Sequence, residues 1–224
     1  MNEAINPPKD MPIDEQLYVA QVAIEGALAS PEILAALAEY RYDAARLQEG
    51  QALYTAAQAA QQHQQERYSE QFSATAAYNE AFAQTRKTFV QARQLARLAA
   101  QTHPHLPFEK LKLSGGVEQA FAAWLIQARI FYEAALNDIG LLAKMEEYGL
   151  THPRLQAGLE ATTLVEALNM DQEHKKGEAQ AATKARDTAL AELRQWMKAF
   201  RQVALIALGE QPQLLENLGF GTGA

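Results

Sequence analysis

The chain of 224 residues reads as an all-α protein, and three observations carry that reading. About one residue in five is Ala and about one in ten is Gln, whereas Val and Ile together number 14, so helix formers crowd out β-branched residues. Apolar residues recur at three- and four-residue spacing, as on the buried stripe of a helix. Two stretches of roughly 58 residues, 44–101 and 152–209, hold no Pro beyond the first turn. A sandwich, a barrel or an alternating βαβ protein is excluded on these grounds.

The elements follow in order. Residues 1–13 carry Glu3, Lys9 and Asp10 and no apolar run, which predicts a disordered tail and no signal peptide. A first helix is expected from about Asp14 to Ala29. Ser30 then caps a short second helix that has Pro31 at its first position. Asp43 stands at the N-cap of a long third helix from about Ala44 to Gln101. Ser114-Gly115-Gly116 reads as a linker. The most apolar stretch, Val117 to Leu136, is broken by Glu118, Gln119, Gln127, Arg129 and Glu133. It reads as a core helix and not as a membrane span. A short helix starts near Asp138 and ends at Tyr148-Gly149-Leu150, where Gly149 suits a left-handed cap and Leu150 its apolar contact. In the first half Arg41 stands where that Gly would be. Thr151 is expected to cap a second long helix, with Pro153 in its first turn.

The two halves resemble each other. At an offset of 108 they align without a gap from Leu17/Leu125 to Leu106/Leu214, with about 28 of 90 pairs identical. The strongest block matches Glu39, Tyr40, Arg46, Leu47, Gln48 and Gly50 to Glu147, Tyr148, Arg154, Leu155, Gln156 and Gly158. The expectation is a tandem duplication of a helical unit of two short helices and one long one. Residues 14–113 form the first copy and 114–224 the second, interlocked as one pseudo-twofold domain.

Heptads counted from Leu47 and Leu155 keep register along each long stretch, as one continuous helix about 87 Å long requires. The a and d positions are apolar at both ends and polar in the middle, at Gln61, Gln64, Asn169, Gln172 and Lys176. Residues 1–49 and 133–173 each carry a net −6, while 84–132 carry +5 and 174–201 carry +4. Antiparallel packing of the long helices as a coiled coil, with bundles at the ends, sets basic segments beside acidic ones. The competing expectation breaks both helices near residues 63–69 and 171–177, giving two four-helix-bundle domains.

Chemistry is sparse. The chain has no Cys, which removes disulfides, thiolate catalysis and Cys-bound metals and suits a reducing cytoplasm. None of the five His lies three residues after a Glu, so the di-metal carboxylate pattern is missing. His63, Glu66, Asp171 and His174 would make a metal cluster only if the two polar middles met, and a solvated helix face is the favoured reading. Glu39, Tyr40 and Arg46, with Glu147, Tyr148 and Arg154, are expected to form paired polar clusters at the turns into the long helices. There Glu and Arg would fix the turn geometry, or Arg would bind an anion. No cofactor is expected. The net charge of −7 disfavours nucleic acid and anionic membranes. The expected role is a non-enzymatic structural or protein-interaction module, cytoplasmic and capable of self-association. The alternative is a helical bundle that binds a small molecule or a metal.

Overall fold

A computed structural model describes residues 11–221; the tail expected over 1–13 lies outside the described residues as far as residue 10. Among the described residues every regular element is helical. In order they are α1 (Ile13–Ala29), α2 (Pro31–Ala38), α3 (Ala44–Thr102), a 3-10 turn (Phe108–Leu111), α4 (Phe121–Asn137), α5 (Ile139–Glu146), α6 (His152–Ala207) and α7 (Pro212–Asn217).

Local chemistry accounts for most boundaries. Ser30 Oγ accepts from Ile33 N at 3.3 Å, and Asp138 Oδ1 accepts from Leu141 N at 3.2 Å, so each short helix starts on a capped turn. Both short helices end alike. Tyr42 N donates to Leu37 O and Leu150 N to Met145 O, each at 3.1 Å. The intervening residue is left-handed, with φ 64° at Arg41 and 76° at Gly149. The expected Gly-type cap therefore forms even where Arg stands. Asp43 Oδ1 caps α3 through Arg46 N at 3.0 Å. Thr151 does not cap α6 through its side chain. Glu146 Oε1 takes that place, accepting from His152 N at 3.3 Å.

Helix α4 starts at Phe121, four residues later than expected. Side chains hold the preceding backbone in another conformation: Gln127 Oε1 accepts from Glu118 N, and Gln127 Nε2 donates to Gly116 O. The breaks considered near 63–69 and 171–177 do not occur, because α3 and α6 are each one helix through those residues. The runs there are rich in helix formers, and the single Gly177 costs only about 1 kcal/mol.

The chain divides into two compact units, which are two helical bundles. One holds residues up to Tyr68 and from Glu178 onward; the other is Ser69–Gly177. In the first, Ile24, Ile33, Leu37, Leu47 and Tyr54 join Leu190, Leu193, Trp196, Phe200 and Leu215 in one core. Gly50 faces the Trp196 ring and Arg67 pairs with Glu178, so numbers rise along α3 as they fall along α6. In the second, Phe89, Ala92, Ala96, Trp124, Phe131, Tyr132, Met145 and Leu155 form the core. Its rings meet mostly edge to face, Phe89 with Trp124 at 6.2 Å and with Phe131 at 5.6 Å. Between Ala57 and Thr85 no residue of α3 is fully buried, which matches the polar middle of the heptads.

No single helix among the described residues is long and apolar enough to cross a membrane. Helices α1 and α2 pass together by length and composition, but they are bent by 93° at Ser30.

Candidate functional site

The expected polar clusters differ between the two turns. In the second unit, Tyr148 OH and Thr102 Oγ1 share a hydrogen bond at 2.7 Å, tying the end of α5 to the end of α3. Glu147 accepts from Lys144 Nζ at 2.6 Å and lies 3.3 Å from His103 Nε2. The Lys144 hydrogen bond, with a smaller one from His103, holds the Glu147 carboxyl below its ordinary range against partial desolvation. Arg154 does not reach Glu147; its Nη1 donates to Gly149 O at 3.2 Å, across the left-handed turn.

In the first unit the matching residues stay apart. Arg46 pairs with Glu49 on its own helix and lies over the Tyr42 ring at 5.8 Å. Among the described residues the side chains of Glu39 and Tyr40 have no partner, and Tyr40 is 47% exposed. The Glu–Arg pairing expected across each turn is thus absent. Each Arg has a nearer acceptor: a carboxylate one turn along for Arg46, and a turn carbonyl for Arg154. The second-unit cluster can bind and position, but it holds no nucleophile beside a base.

His63 does not gather with acids. Its Nε2 accepts from Arg67 Nε at 3.2 Å, one turn along α3. Among the described residues no group of three or more His, Asp or Glu is placed to hold a metal ion, Glu66, Asp171 and His174 included.

Sequence reasoning missed an arginine clasp. Arg93 is buried on α3, with Nη1 donating to Gly116 O at 2.9 Å and Nη2 to Lys112 O at 3.0 Å. Arg97 donates to Leu113 O and Gly115 O. Both guanidinium groups are turned onto backbone carbonyls of residues 112–116. Burial is the main cause that lowers the Arg93 pKa. No residue type marks a backbone acceptor, so sequence held no signal for it.

Three buried polar atoms of the second unit have no partner: Arg93 Nε, Trp124 Nε1 and Tyr132 OH. Burial pushes the Tyr132 phenol up to about 12. No family model matches the chain, and no curated protein or solved structure matches it either.

Proposed function

We propose that the chain is a non-enzymatic, cytoplasmic helical module that acts by binding protein partners, further copies of itself included. One observation carries the reading: large apolar side chains stand in solvent on the long helices while the cores are filled elsewhere. Phe72 is 72% exposed and Tyr68 59% on α3; Met170 is 68% exposed and Leu164 56% on α6. Tyr68 and Phe72 stand one turn apart on α3, and an exposed apolar patch of that kind is a surface that a partner can cover. Nucleic acid and membranes do not fit a net charge of −7.

The proposed scaffold is a duplicated unit whose long helices pair as an antiparallel coiled coil. Its support is the recurrence of matched features 108 residues apart: the caps Ser30 and Asp138, the left-handed Arg41 and Gly149, and short helices of 17 and 8 residues in both copies. Core volumes also trade places. Ala23 corresponds to Phe131 and Ala92 to Phe200, and all four are buried. At these two pairs the ring sits on the first short helix in one unit and on the long helix in the other, as volume-conserving repacking of one ancestral core would leave them.

Light scattering, crosslinking and pull-down from the source lysate test the reading. Assembly or a reproducible partner supports it, and a lone monomer in all three removes it. The second reading, a ligand-binding bundle, is favoured by Trp124 Nε1 and Tyr132 OH. Elemental analysis and a thermal-shift screen decide it, because a ligand of the native state raises apparent stability.

A further inference from the structure

Along α6 in the first unit an open helix face runs past Gln180, Lys184, Thr188, Ala191, Glu192 and Gln195. All six are exposed, and they share one helix face. No other element lines this face. Its centre holds Thr183, Asp187, Thr188 and Ala191. Among the described residues the side chains of Lys184 and Glu192 have no intramolecular partner.

The charges are self-complementary. Lys184 and Glu192 stand four residues to either side of Thr188. A two-fold axis at Thr188, laying a second α6 antiparallel on this face, sets each Lys184 level with the other copy's Glu192. Two reciprocal ion pairs result from one surface. Gln180 and Gln195 fall close to the same level at the two ends, where amide can meet amide. Asp187 is the like charge near the axis. Arg186 already holds it, with Nε and Nη2 donating to Oδ1 at 2.9 and 2.7 Å.

We propose that this face of α6 is the contact between two copies of the chain, an isologous antiparallel helix pair centred on Thr188. The proposal rests on the self-associating reading above and gives it a polar contact separate from the exposed apolar side chains of α3 and α6. A contact confined to one helix face is small, so the dimer is weak, with Kd in the range of roughly tens to hundreds of micromolar.

Sedimentation equilibrium over that range tests it on four full-length proteins: the natural chain, Lys184→Glu, Glu192→Lys and the double variant. Circular dichroism checks that each folds, as substitutions at exposed positions should allow. The expected result is a monomer–dimer equilibrium that each single variant weakens about tenfold or more and the double variant restores. General repulsion predicts otherwise. Lys184→Glu takes the net charge from −7 to −9 and Glu192→Lys takes it to −5, so only a reciprocal contact makes both weaken the dimer. A dimer indifferent to the single changes overturns this surface and leaves self-association standing. Weakening without rescue overturns the pairing, and so does pairing of this face only with a helix of another protein. A natural chain monomeric throughout overturns the proposal, and the functional reading then depends on the pull-down alone.

Discussion

Tyr132 shows how one buried group sets an alkaline limit. Its hydroxyl has no protein partner, and its ring lies against Gly158 in the core. The unfolded phenol ionises near its ordinary 10.0, whereas in the fold it holds its proton up to about 12. The raised value gives a contribution fully present below pH 10 and lost as pH rises through 12, of order 2–3 kcal/mol at about 1.4 kcal/mol per pH unit. Urea unfolding between pH 9 and 12 should show this loss, and Tyr132→Phe should remove that part of the slope. The same variant should be neutral or stabilising at pH 7, because no hydrogen bond is broken. Arg41 illustrates the opposite relation between residue and backbone. In sequence it stands where the matching Gly149 caps the other short helix, which argues against a left-handed cap, yet the fold imposes φ 64° there although an L side chain resists it.

The long helices carry three glycines whose substitution should give opposite signs. A Cβ at Gly50 would lie 2.3 Å from the Trp196 ring, and one at Gly158 would lie 2.3 Å from the Tyr132 ring. Gly50→Ala and Gly158→Ala should each lower the unfolding midpoint, since overpacking costs about 1–3 kcal/mol and outweighs the helix-propensity gain. At Gly177 nothing lies within 4 Å, so Gly177→Ala should raise stability by about 0.5–1 kcal/mol. Thermal unfolding of the three variants checks the split. The elements themselves were legible where their causes are local. Ser30-Pro31 announces a helix start, Gly149 a stop, and the heptads continuity. Partners distant in sequence were not legible. Nothing at Gly50 reveals that a ring from residue 196 fills its notch, and nothing at Arg93 reveals that its acceptors are the carbonyls of Lys112 and Gly116. The polar clusters at the turns failed for a related reason, because matching residues in the two halves do not guarantee matching neighbours.

At the scale of the whole molecule, the two halves of the sequence and the two compact units cut the chain differently. The first unit takes α1, α2 and the start of α3 from the N-terminal half, and the end of α6 and α7 from the C-terminal half. Its core joins Ile24 and Leu47 to Leu193 and Phe200. Residues 1–113 made alone should therefore lack the cooperative unfolding of the full chain, as should residues 114–224. Mixing the two fragments should recover it. Circular dichroism melts of each fragment and of the mixture check this, and a sharp native-like melt in either fragment alone would contradict the shared core.

The same division orders events during synthesis. Ser69–Gly177 is contiguous, so the second unit has every residue it needs once Gly177 has left the ribosome. The first unit waits longer, for Gln16 meets Arg194 across 178 residues. Until the last helices emerge, α1 and α2 are translated yet uncovered, with Ile24, Ile33 and Leu37 facing water or a chaperone. The finished second unit shortens the free loop that must still close, and so lowers its entropic cost. The N-terminal helices are thus the first made and the last protected, and aggregation of the nascent chain should begin with them.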